Sequence, residues 1–139
     1  MAICGPTGSG KTFTALRLAY AFKGTDTRVA VINTESGAIE KYLGEAPDGI
    51  PFDFDILTLE EFPPTAYTDA IFAAGREGYD VLIVDSLSHA WTGTGGALEI
   101  KDKAGGNSYT AWKDVTPMHN RMIEAILRSP CWHKISLPS

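Results

Sequence analysis

Cysteine is scarce in this chain: Cys4 and Cys131 are the only two among 139 residues. Two isolated thiols build no disulfide framework, so a reducing cytoplasm is the expected compartment. No apolar run approaches the length of a membrane span. The start, Met1-Ala2-Ile3-Cys4, lacks the basic segment and long apolar stretch of a targeting peptide. Basic charge is also short. Lys and Arg number 12 against 17 Asp and Glu, a formal net charge of −5. That excludes a uniformly basic nucleic-acid binder and leaves such contact to a local patch or an assembled surface. Several catalytic signatures are missing too. Ser86 and Ser88 lack the G-x-S-x-G setting of a hydrolase nucleophile, and Cys131 and His133 lack paired zinc-ligand spacing, with His119 far away in the chain. What is present suffices for one domain, since 44% of the residues are hydrophobic.

One stretch points to a definite chemistry. Gly5-Pro6-Thr7-Gly8-Ser9-Gly10-Lys11-Thr12 matches G-x-x-x-x-G-K-[ST] at every fixed position. Such a loop wraps backbone N–H groups around nucleotide phosphates, with glycine where a Cβ would collide or the dihedrals forbid one. Lys11 would reach the β- and γ-phosphates, and the Thr12 hydroxyl would bind Mg²⁺. The helix that starts here points its positive end at the anion. No N-K-x-D guanine-reading motif is present, so ATP is the expected nucleotide.

The rest of the chain alternates strand and helix. Ala2–Cys4 reads as a stub of strand and Lys11–Phe22 as a helix with Phe13, Leu16, Ala19 and Tyr20 on its apolar face, ended by Gly24. Arg28–Thr34 and Val81–Val84 are buried strands by their continuous apolar runs. A short helix is expected around Ala38–Leu43, a loop at Pro47, Gly49 and Pro51, and a strand over Asp55–Leu59. Pro64 suits the first turn of a helix running to about Glu77. Thr92–Asn107, rich in Gly and Lys, reads as a mobile loop with a helical turn near Leu98. A last helix runs from about Tyr109 to Arg128, with a kink or fresh start at Thr116-Pro117 and an inner stripe of Trp112, Val115, Met118, Met122, Ala125 and Ile126. This alternation predicts an α/β fold with a mainly parallel sheet flanked by helices, its ligand at the carboxyl ends of the strands. Both ends look cut. The expected division is an incomplete core over 1–130 and an aberrant or disordered tail over 131–139, too short for another strand–helix unit.

Asp85 ends an apolar strand, as suits an acid that holds Mg²⁺ in a phosphate-loop NTPase. Its neighbour is Ser86 rather than a second acid, so a general base has to come from elsewhere. Glu35, just past Val31-Ile32-Asn33-Thr34, is placed to orient the water that attacks the γ-phosphate. The phosphate loop, the I-[ND]-T-E-x-G strand end and the L-I-V-D-S strand end together resemble the RecA-like ATPases. The phage-encoded single-strand recombination ATPases are the nearest likeness, through Asp85-Ser86-Leu87-Ser88-His89-Ala90-Trp91 and the stretch from Asn107 that includes Tyr109, Trp112, Lys113, Pro117 and His119. The resemblance implies a RecA-like P-loop ATPase of the AAA type that couples MgATP hydrolysis to single-stranded DNA recombination or annealing in a bacterial host's cytoplasm. It implies Lys11 and Thr12 on phosphate and Mg²⁺, Glu35 as base and Asp85 on the metal. It also implies homo-oligomeric rings or filaments, with a cation supplied in trans that no residue here identifies. His89 matches a family position near the nucleotide, where a satisfied structural histidine is an equal reading. After the Pro130-Cys131 pair, relatives carry a further core strand with a γ-phosphate sensor, which 132–139 does not resemble. Lys101, Lys103 and Lys113 beside Tyr109 and Trp112 suit single-stranded DNA, although Glu99 and Asp102 are interleaved. Two alternatives stay open: a nucleotide-binding module without turnover, and a small-molecule kinase.

Overall fold

Two strands set the frame. In this computed structural model, which describes the chain apart from residues 7, 24–25, 36, 38, 45–48, 50, 132 and 138–139, β1 (Val29–Asn33) and β3 (Val81–Asp85) are buried along their whole length. Their side chains alternate between two cores, as the two-residue period of a strand requires. Val29, Val31, Val81 and Ile83 meet Ala15, Leu16 and Ala19 of α1 (Lys11–Lys23). Ala30, Ile32, Leu82 and Val84 share the opposite core with Tyr67 and Ile71 of α2 (Pro64–Arg76) and Met122 and Ala125 of α5 (Ser108–Arg128). Burial on both faces explains why both strands read as unbroken apolar runs.

The sheet order is β2-β1-β3-β4, with β2 at Phe54–Thr58 and β4 at His133–Leu137, and every neighbouring pair is parallel. All four strands therefore end on one edge. The register puts Asn33 beside both Thr58 and Asp85. The fold is the expected α/β arrangement of a parallel sheet covered by helices.

Several expectations need correction. Within the expected tail over 131–139, residues 133–137 are not disordered: His133–Leu137 pair with Val81–Asp85, and Ile135 is 1% exposed in the α1-side core; residues 132 and 138–139 lie outside the described ones. The folded unit thus runs past 130. A strand laid beside β3 needs no helix after it, and one apolar Ile135 between Lys134 and Ser136 gives little signal in sequence. Ala2–Cys4 is not a strand, since Ala2 alone makes a single bridge. The Gly- and Lys-rich segment is largely helical, with α3 at His89–Thr92 and α4 at Ala97–Ala104. Glu99 stabilises α4 by accepting from the Gly95 N–H at 2.6 Å and pairing with Lys103 at 2.5 Å.

The last helix is continuous through Pro117. It is capped by Asn107, whose side chain accepts from the Thr110 N–H at 3.0 Å, and not by Thr116. Val115, Met122 and Ala125 are buried on either side of the proline, so packing keeps the helix in register across the lost hydrogen bond. Of the short helix expected around Ala38–Leu43, the described residues form a 3₁₀ turn at Glu40–Tyr42; Ala38 lies outside them. The Gly24 cap and the loop position of Pro47 lie outside the described residues. Among the described residues, no helix is long and apolar enough to cross a membrane.

Candidate functional site

The glycine-rich loop enters α1 through two residues with left-handed backbone, Gly8 at φ 79° and Gly10 at φ 84°. A Cβ at either would meet nothing within 4 Å, so the dihedral angle, not crowding, demands glycine there. Gly5 is the opposite case, because its Cβ would lie 2.9 Å from Ser9 Oγ. Lys11 curls back over the loop, its ammonium donating to the carbonyls of Gly5 at 2.7 Å and Pro6 at 2.8 Å. One residue on, the Thr12 hydroxyl donates to Asp85 Oδ2 at 2.6 Å, across 73 residues of sequence.

Asp85 is 5% exposed. Burial holds its carboxyl above the ordinary carboxylate value, and the negative charge of Glu35 adds to this. The Thr12 hydrogen bond and the charge of Lys11 work the other way. Glu35 follows β1, its N–H donating to Asn33 Oδ1 at 3.2 Å. A cavity of ≈ 250 Å³ is lined by Gly8, Gly10, Lys11, Thr12, Glu35 and Asp85, together with Lys41 and Tyr42. The loop, Glu35 and Asp85, read separately from sequence, thus meet at one end of the sheet. Gly5 and Pro6 contribute by tethering Lys11, and the Pro6 carbonyl also accepts from the Ser9 N–H at 3.2 Å. Thr7 lies outside the described residues.

Lys41 and Tyr42 were not legible. The turn that carries them is fastened to α1: the Tyr42 ring leans on Phe13 with centroids 6.1 Å apart, and Leu43 bridges Phe52, which meets Phe13 edge-on at 6.0 Å. No local motif announces a three-residue turn, and only its place after Glu35 hinted at the site. His89 is half-buried. Its Nδ1 lies 2.6 Å from the Thr34 hydroxyl and its ring stacks on Phe62 at 5.1 Å.

The region expected to face nucleic acid is partly neutralised. Lys101 pairs with Asp102 at 3.2 Å and Lys103 with Glu99. Trp112 is half-buried and stacks on Trp91 at 5.3 Å, whereas Tyr109 is 87% exposed.

A family model described as an AAA domain (AAA_24) matches residues 1–137. The chain belongs to this AAA domain family. It is therefore an AAA-family P-loop ATPase domain, a class defined by binding and hydrolysing ATP, ordinarily with Mg²⁺. No curated protein matches the sequence. In this AAA domain the side chains suit both groups. Mg²⁺ prefers hard oxygen donors and takes one or two from protein, the rest from phosphates and water; the Thr12 hydroxyl and Asp85 carboxylate, already 2.6 Å apart, are such a pair. Gly8 and Gly10 leave open the space that side chains would fill beside the loop backbone, and Lys11 offers a cation at the cavity.

Proposed function

We propose that this AAA domain binds MgATP in the cavity between the glycine-rich loop and the ends of β1 and β3, hydrolyses it, and couples turnover to single-stranded DNA recombination or annealing. The observation that carries the nucleotide part is the 2.6 Å contact between Thr12 and Asp85 in a cavity that Lys11 and Glu35 also line. Backbone N–H groups of the loop and the N-terminus of α1 favour phosphate oxygens there. The Lys11 ammonium exchanges its two carbonyl partners for β- and γ-phosphate oxygens. Thr12 and Asp85 would hold Mg²⁺, which supplies charge neutralisation of the phosphates when bound. Glu35 accepts a proton from the attacking water or orients it. Ser86, next to Asp85, has no carboxylate to compete for that role. The Tyr42 ring offers an aromatic face to the adenine.

The DNA part rests on the likeness of residues 85–91 and of the stretch from Asn107 to phage recombination ATPases. Exposed Tyr109 and the Trp91–Trp112 stack give it stacking surfaces. Assembly into a ring or filament, and work in the cytoplasm of a bacterial host, belong to the same reading.

Phosphate release from MgATP, measured with and without single-stranded DNA, tests both parts. Wild type should turn over ATP, faster with DNA. Lys11→Ala should lose MgATP binding, and Glu35→Gln should keep binding while turnover falls about 100-fold or more. Undiminished binding in Lys11→Ala would sink the site. Turnover indifferent to DNA would leave an ATPase with another partner.

A further inference from the structure

Thr34, the residue before Glu35, is 8% exposed and bonded on every side. Its N–H donates to the Asp85 carbonyl at 2.8 Å, one rung beyond the strand pairing. Its hydroxyl oxygen accepts from the Ser86 N–H at 2.8 Å and keeps one proton to give. Acceptors in reach include the Ser86 carbonyl at 3.3 Å and His89 Nδ1 at 2.6 Å, the nearer of the two. The carbonyl already accepts from the Tyr67 hydroxyl at 2.9 Å, and 3.3 Å is long for a hydroxyl donor. Given to His89, the nearer acceptor, that proton leaves the imidazole with Nδ1 as acceptor and the ring hydrogen on Nε2.

His89 cannot easily turn away. It opens α3, its ring is stacked on Phe62, and the Phe62 N–H is bonded to the Thr94 carbonyl at 2.9 Å. Gly93 closes that turn without room for a side chain, since a Cβ there would lie 2.5 Å from Phe62 Cδ2 and 2.8 Å from the His89 carbonyl oxygen. The backbone that enters Glu35 is thus pinned twice, by Asn33 on its own N–H and by the Thr34 hydroxyl, whose anchor stands on α3.

We infer that His89 is a positioning residue for hydrolysis: through Thr34 it fixes where Glu35 stands, and it ties that placement to α3. This rests on reading the cavity as the MgATP site. A merely structural histidine would affect folding or binding, whereas a positioning one affects the chemical step, because small misplacements of a base cost rate.

Three variants separate these. His89→Asn keeps a side-chain acceptor near Nδ1, His89→Leu removes it at similar bulk, and Thr34→Val removes the donor. The expected result is a fall in kcat of about 10- to 100-fold for His89→Leu and Thr34→Val, with MgATP affinity unchanged and His89→Asn close to wild type. The double variant should be no slower than either single, as expected of one linked pair. Equal kcat in His89→Leu and wild type overturns the role, as does a loss that His89→Asn shares or one matched by weaker binding. A wild type that binds MgATP without turnover would instead overturn the hydrolysis reading itself. Imidazole ¹⁵N shifts of wild type should report the Nε2–H form, and the Nδ1–H form would refute the Thr34–His89 bond irrespective of turnover.

Discussion

Asp85 is buried at the end of β3, and burial holds its carboxyl above the ordinary value. The folded protein then keeps this proton over a pH range in which the unfolded chain has released it. Stability of the nucleotide-free protein accordingly falls as pH rises from the ordinary carboxylate value through the raised one, and stays at the lower level above it. Asp85→Asn keeps an acceptor for Thr12 and removes the charge. It should raise Tm by ~2–4 °C near neutral pH, flatten that part of the pH profile, and abolish the Mg²⁺-dependent gain in nucleotide affinity. Thermal unfolding between about pH 4 and about pH 8 checks this; an unaltered profile would refute the burial argument. The loop residues and Asp85 were readable because their spacing and strand context are local. Glu35 was readable from its place after β1. Tyr42 was not, because its position depends on a ring contact with Phe13, far away in the chain. Tyr42→Ala should weaken ATP binding by about 10-fold, near the ~1–3 kcal/mol of a base–aromatic stack, and leave triphosphate competition intact, as nucleotide titration would show.

The end of α2 packs against Pro130, two residues past the end of α5. A Cβ on Gly75 would stand 2.8 and 2.9 Å from Pro130 Cδ and Cγ. Alanine would gain about 1 kcal/mol of helix propensity, but a rigid proline ring cannot yield as a flexible side chain can, and overpacking costs about 1–3 kcal/mol. Gly75→Ala should therefore lower stability in denaturant unfolding; a more stable variant would mean that the segment at Pro130 shifts away from α2 at little cost. Helix α5 shows how packing overrides a local signal. Pro117 reads as a break in sequence, yet buried Ala111 and Val115 before it and Met122 and Ala125 after it lie on one face. Helix α4 was obscured in another way. Its glycines flank the helix, at Gly95, Gly96, Gly105 and Gly106, and leave Ala97–Ala104 free of them.

At the scale of the molecule, the parallel sheet gathers residues from positions 8–12, 35 and 85 onto one edge. Strands β1 and β3 announced themselves because both faces are buried, whereas β4 was hard to see because its sequence, His133-Lys134-Ile135-Ser136-Leu137, mixes polar and apolar residues and its place is set by pairing with β3. Ile135→Asp tests what β4 contributes. An unpaired charge in the α1-side core costs several kcal/mol, so Tm should fall by more than ~10 °C and nucleotide binding should fail; a variant that folds normally would mean that β4 is dispensable. The pairing of Val81 with His133 has a consequence for biosynthesis. While the chain leaves the ribosome, β3 waits with an open apolar edge until β4 is made roughly fifty residues later, and long-range parallel pairing of this kind is slow to form. The nascent protein is in that interval a natural client for a chaperone, and its yield in cells should follow chaperone supply more closely than the stability of the finished fold.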